Sequence, residues 1–169
     1  NWFETVDRNK SGQIDAQELQ MALVNGDYSN FDLDTTKMLI GIFDVDKTGT
    51  ISIEEFAGVF KYINDWRNVF QHFDADRSGS IEGHELANAL AQFGYRLSPF
   101  TLRVLEDKYG EGGRYGGVGV QGISFDRFIR VCVAVKTLSE NFQRLDVHKS
   151  GYVNMDYELF LQSYDFFSS

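Results

Sequence analysis

The sequence predicts an all-α protein: five helix–loop–helix units, long helices shared between units 2 and 3 and between units 4 and 5, and short β bridges between paired loops. Three observations predict it. A twelve-residue acidic pattern recurs along the chain, and apolar residues recur at helical spacing on either side of each copy. The 169 residues contain one proline, so long stretches carry no helix breaker. An apolar content of 43% is enough for a real core, and a single domain over residues 1–169 is expected.

The pattern defines the units. Residues 7–18 read DRNKSGQIDAQE, residues 44–55 DVDKTGTISIEE and residues 74–85 DADRSGSIEGHE. Each has oxygen side chains at positions 1, 3 and 5, Gly at 6, Ile at 8 and Glu at 12, which is the EF-hand calcium loop. Calcium is a hard cation that takes six to eight oxygens at roughly 2.3–2.6 Å. In hand 1, Asp7, Asn9 and Ser11 offer side-chain oxygens, Gln13 its carbonyl, Asp15 a bridging water, and Glu18 both carboxylate oxygens. Hand 2 offers Asp44, Asp46, Thr48, Thr50 (carbonyl), Ser52 and Glu55. Hand 3 offers Asp74, Asp76, Ser78, Ser80 (carbonyl), Glu82 and Glu85. Glycine at position 6 permits the sharp turn around the ion. The formal charge of −9 fits cation binding, and three Ca²⁺ ions would bring it to −3. His72 and His84 are read as surface side chains, not zinc ligands.

Two further loops are degenerate. Residues 146–157, DVHKSGYVNMDY, keep Asp146, Ser150 and Gly151, but position 3 is His148 and position 12 is Tyr157. Without the terminal carboxylate, tight calcium binding is not expected. Before it, GISFDRFI reads as the exit of a fourth loop over 110–127, with Ile123 at position 8, Ser124 at 9 and Arg127 at 12. Thirteen residues instead of seven separate Gly110 from Ile123, a six-residue glycine-rich expansion that has lost its carboxylates. That expansion contains a G-x-G-x-x-G at Gly117, Gly119 and Gly122. No buried strand precedes it and no ribose-binding acid follows, so a nucleotide cradle is excluded.

Linkers follow from the same reading. Residues 56–73 contain no proline, and Phe56, Val59, Phe60, Ile63, Trp66, Val69, Phe70 and Phe73 repeat at helical spacing, predicting one helix from hand 2 into hand 3. Phe128, Val131, Val135, Leu138, Phe142 and Leu145 predict the same between hands 4 and 5. VNGDYSN and FGYRLSPF break the other two connections, the second with Ser98 as N-cap and Pro99 at the first helical position. The chain opens at NWFETVD, inside what reads as a helix, so a preceding segment is expected. Pairing hand 1 with 2 and 3 with 4 leaves the fifth alone, exposing Val153, Met155, Leu159 and Phe160. A dimer, homo or hetero, through that hand is expected.

Other classes are disfavoured. The pI near 4.7 argues against a nucleic-acid partner, and no run of 18 apolar residues is long enough to span a membrane. Cys132 in IRVCVAVKTL cannot form an internal disulfide; it is expected as a buried small hydrophobe in a cytoplasmic protein. One Cys and three His assemble no nucleophile–base pair, so no enzyme is expected.

Five hands, shared helices and an orphan last hand resemble the penta-EF-hand family. GVFKYINDWRNVFQHFD and FGYRLS are most similar to its branch of apoptosis-linked gene-two protein and peflin, with sorcin, grancalcin and the calpain regulatory domains more distant. The resemblance implies a calcium-dependent adaptor that opens an apolar pocket for Pro-rich segments of membrane-trafficking or repair proteins, associating with membranes through those partners. The matching positions are Phe60, Trp66, Phe93, Tyr95 and Arg96, with Arg96 the gate. A calpain-like regulatory subunit of a heterodimer and a passive calcium buffer are the alternatives.

Overall fold

The computed structural model describes residues 2–110 and 122–168, with side chains from Trp2 through Ser163; the glycine-rich stretch 111–121 lies outside the described residues. Among these, eight helices follow in order: α1 (Trp2–Val6), α2 (Ala16–Ala22), α3 (Leu33–Phe43), α4 (Ile53–Phe73), α5 (Gly83–Gln92), α6 (Pro99–Tyr109), α7 (Phe125–Leu145) and α8 (Tyr157–Ser168). Both predicted shared helices, α4 and α7, are continuous over 21 residues.

The exit helices of hands 1 and 2 each start at a capping box. Asp15 Oδ1 accepts from Glu18 N–H at 2.9 Å, while Glu18 Oε2 accepts from Asp15 N–H at 3.1 Å. Ser52 and Glu55 repeat the arrangement at 3.3 and 2.9 Å. The glutamate that closes the loop is therefore also the third residue of the helix it starts. Ser98 caps α6 by accepting from Thr101 N–H at 3.2 Å. In the fifth hand α8 starts at position 12 instead of position 10, capped by Asp156, which accepts from Leu159 N–H at 2.8 Å. Tyr157 cannot supply the returning carboxylate, so the cap moves to the next available acid.

Two compact units make up the chain, Asn1–Arg130 and Val131–Ser169. In the first, the loops pair through isolated antiparallel bridges at position 8, Ile14 with Ile51 and Ile81 with Ile123. Each pair exchanges both backbone bonds, at 2.7–2.9 Å, and all four isoleucines are fully buried. Leu19, Leu39, Val59, Leu86, Leu90 and Phe128 are fully buried as well. Phe31, Phe125, Phe70 and Phe128 form an edge-to-face chain with centroids 5.3–5.6 Å apart, and the Arg67 guanidinium lies 4.8 Å from the Phe125 centroid.

A polar staple crosses this unit. Asp32 caps α3, accepting from Thr35 N–H at 2.7 Å, while its own N–H donates to Asp126 Oδ2 at 2.7 Å. Asp126 N–H donates in turn to Asn25 Oδ1 at 3.0 Å. No buried side-chain polar atom among the described residues lacks a partner, as burial of such groups demands. In the second unit, Cys132 is buried and desolvation pushes its thiol up to about 12, so it stays a neutral thiol, unsuited to nucleophilic chemistry.

Candidate metal centres

The three complete loops share one internal geometry. In each, the position-1 aspartate accepts from the N–H groups of positions 5 and 6: Asp7 at 3.0 and 2.8 Å, Asp44 at 3.0 and 2.7 Å, Asp74 at 3.0 and 2.9 Å. Position 6 is glycine with φ near +81° in all three, the left-handed conformation the sharp turn requires. The position-12 carboxylate reaches back to the loop's start, where Glu18, Glu55 and Glu85 accept from Arg8, Val45 and Ala75 N–H at 3.1, 3.0 and 3.1 Å.

This folding brings the predicted oxygens together. Ser11 Oγ stands 3.5 Å from Asp7 Oδ1 and 2.8 Å from the Gln13 carbonyl. The equivalent spacings are 3.4 and 3.4 Å in hand 2 and 3.3 and 2.9 Å in hand 3. Carboxylates of Asp44, Asp46 and Glu55 fall within 4.8 Å of one another, as do those of Asp74, Asp76 and Glu85. Oxygens arranged on a shell about 2.4 Å from a central ion stand at such separations, and an all-oxygen set suits a hard cation. Asn9 holds position 3 of hand 1, accepting from Ser11 N–H at 2.9 Å.

Three of these acids are shifted toward the charged form. The carboxyl of Asp76 lies below its ordinary range, chiefly through the Ser78 hydroxyl and N–H. Glu55 is lowered first by the Ser52 N–H, and Val45 N–H adds to the effect. For Asp44 desolvation pushes upward, but the Gly49 and Thr48 N–H groups outweigh it and the net shift is downward. Burial separates the loops: Asp7, Glu18, Asp74 and Glu85 are buried, whereas Asp44 and Glu55 are half-exposed.

The fifth loop keeps the scaffold without the closing ligand. Asp146 accepts from Ser150 and Gly151 N–H at 2.9 and 2.8 Å, which lowers its carboxyl. Position 12 is the exposed Tyr157. Of the residues expected to be uncovered there, Phe160 is 60% exposed and Val153, Met155 and Leu159 are half-buried; Tyr152, Tyr157 and Leu161 add to the open apolar surface.

The expected pocket residues fall into two groups on α4. Phe60 packs edge-on against Trp2 and Phe56, at 5.5 and 4.8 Å. Trp66 meets Phe93 at 5.8 Å and Tyr62 at 6.1 Å, and Phe73 also meets Phe93, at 6.2 Å. Tyr95 is half-buried and Arg96 exposed. Sequence reasoning missed Trp2, Tyr62 and the staple of Asn25, Asp32 and Asp126. The one signal available for the staple was the Asp32 cap motif ahead of Thr35 and Thr36.

Paired loops with this oxygen arrangement define a calcium-binding EF-hand protein. The EF-hand domain pair family matches residues 1–61 and the EF-hand domain family residues 65–94. Peflin of Danio rerio is 41% identical over 162 residues, covering 96% of this chain and 58% of its own length. Grancalcin of Mus musculus is 38% identical over 164 residues, covering 95% and 71%. A solved structure of a homolog of programmed cell death 6 protein from Leishmania major Friedlin superposes with a TM-score of 0.78 at 27% identity, over 98% of this chain and 91% of that one. The chain belongs to the penta-EF-hand family, in its peflin branch, with Ca²⁺ as its cofactor. It spans little more than half the length of the peflins it matches.

Proposed function

We propose that this chain is a calcium sensor and adaptor, in which ions at hands 1, 2 and 3 open an apolar surface for a partner's Pro-rich segment. Asp7, Asn9, Ser11, Gln13, Asp15 and Glu18 hold the first ion. Asp44, Asp46, Thr48, Thr50, Ser52 and Glu55 hold the second, and Asp74, Asp76, Ser78, Ser80, Glu82 and Glu85 the third. One observation carries the reading: α5 begins with ligand Glu85 in its first turn and ends against Phe93, which packs on Trp66 and Phe73 of α4. A ligand shift at one end of a short rigid helix is thereby delivered to an aromatic contact at the other. Phe93 and Trp66 form the pocket's centre, with Tyr95 and Arg96 at its margin; Phe60, packed on Trp2 and Phe56, belongs to a separate apolar cluster.

The fifth hand pairs two chains through Val153, Met155, Leu159 and Phe160, supported by the open apolar surface around Phe160. No helix among the described residues is long and apolar enough to cross a membrane. A cytoplasmic location with membrane recruitment through partners is part of the same proposal. We assign no catalytic role.

The test is apolar-dye fluorescence titrated with calcium, with magnesium as control. A calcium-specific rise is expected, lost in Glu85→Gln. A flat signal with calcium bound overturns the opening mechanism and leaves a buffer or a constitutive subunit. Sedimentation separates the assemblies: a homodimer that Phe160→Asp converts to monomer supports self-pairing, whereas a native monomer points to a heterodimer.

A further inference from the structure

Hand 4 carries an arginine where hands 1, 2 and 3 carry glutamate. The Ile81–Ile123 bridge sets position 8 against position 8, so Arg127 stands at position 12. Like the glutamates, it reaches back to the end of the incoming helix, but with polarity reversed. Glu85 accepts from a loop N–H at 3.1 Å; Arg127 Nη1–H donates to the carbonyl of Tyr109, the last residue of α6, at 3.4 Å. That carbonyl belongs to the partner-poor, negative end of the helix, where a cation is favoured. Arg127 Nε also lies 3.9 Å from Asp32 Oδ2, and Arg130 Nη1 3.8 Å from Asp32 Oδ1. The Arg130 guanidinium sits 5.3 Å from the Tyr109 ring centroid.

We propose that Arg127 is a built-in cation that holds α6 to α7 without metal, making hand 4 a calcium-independent brace for hand 3. In an ion-binding hand the positive charge lies between a loop at the end of one helix and a glutamate on the next. In hand 4 the charge is covalently part of the exit helix, and its acceptor is the end of the incoming one. A guanidinium keeps its charge at any physiological pH, so this clasp has no off state. Hand 3 is bonded to it in both directions through Ile81 and Ile123, so movement in hand 3 is made against a fixed partner.

Amide hydrogen exchange tests this, on the whole chain with calcium and with chelator, for wild type, Arg127→Gln and Arg127→Lys. In wild type, amides of residues 106–110 and 125–130 should exchange at one rate in both conditions, while the first turn of α5 slows with calcium. Arg127→Gln should speed exchange at α6 and α7 by about tenfold in both conditions, and Arg127→Lys should recover part of the protection. An unchanged calcium stoichiometry in Arg127→Gln separates this from misfolding. Calcium-dependent slowing of wild-type α6 and α7 comparable to α5 would overturn the proposal, as would unaltered exchange in Arg127→Gln.

Discussion

At the bridge of hands 1 and 2, both position-7 residues carry side chains and these meet, with Thr50 Oγ1 donating to Gln13 Oε1 at 2.9 Å. At the bridge of hands 3 and 4 the corresponding residues are Ser80 and Gly122, and there is space for only one side chain. A Cβ on Gly122 would stand 2.4 Å from Ser80 Oγ and 2.7 Å from both Ser80 Cβ and Glu82 Cγ. The first pair sets two acidic loops side by side and links them by a hydrogen bond. The second sets one acidic loop against a glycine and an arginine-closed hand. One backbone bridge therefore joins two different kinds of pair: two complete acidic loops linked by a side-chain bond in the first, one complete loop against an arginine-closed hand in the second.

The largest expected effect is at Glu85. Its carboxylate is the proposed bidentate ligand, and it also completes the α5 start and ties back to Ala75 N–H. Glu85→Gln keeps the shape and removes the charge. Third-site affinity should fall on the order of 100-fold or more, about 2.7 kcal/mol, as read by calorimetry. Hands 1 and 2, joined by their own bridge, should titrate almost unchanged. Equal losses at all three sites would mean that the two pairs are not the separate devices described above.

Gly122→Ala comes next. The added methyl meets Ser80 Cβ, which is fixed to the backbone and cannot swing away, so the loop itself must shift. Overpacking of this kind costs about 1–3 kcal/mol, and the shift falls on Ser80 and Glu82 at loop positions 7 and 9. Third-site affinity should drop by roughly tenfold with a lowered melting temperature, while sites 1 and 2 keep theirs. A variant that melts earlier yet binds the third ion normally would show that the close packing serves stability alone.

How much of this was readable in the chain depends on the distance over which each feature is encoded. A calcium loop is local: twelve residues contain the ligands, the glycine turn and the capping box, so hands 1, 2 and 3 and the starts of their exit helices follow from spacing. The shared helices are local too, because nothing in residues 56–73 breaks the apolar period. The bond from Asp32 N–H to Asp126 spans 94 residues and that from Asp126 to Asn25 spans 101, and no periodicity announces such partners. Arg127 was legible as a cation at position 12; its acceptor at Tyr109 was not, since the expanded loop hides the register until the bridge sets it. Phe60 and Trp66 read as one surface in the linear run of aromatics over residues 56–73. Six residues apart, they point about 120° away from each other and join different ring clusters.

The smallest expected effect lies at the bridge of hands 1 and 2. Asp44 and Glu55 are more exposed than their counterparts in hands 1 and 3, so water screens their attraction for the ion more strongly. Site 2 should therefore be the weakest of the three and should lean on its neighbour. The Thr50–Gln13 bond is the side-chain route for that support, because it joins the two residues proposed to offer their carbonyls to the first and second ions. Thr50→Val preserves shape and carbonyl and removes the hydroxyl. A hydrogen bond of this kind contributes about 0.5–1.5 kcal/mol, and its only partial burial places the effect at the lower end, about a threefold loss of site-2 affinity. Measured in a Glu85→Gln background, where only hands 1 and 2 respond, the titration should also lose cooperativity. If affinity falls and cooperativity survives, the Ile14–Ile51 bridge alone carries the coupling, and the hydroxyl serves only to order its own loop.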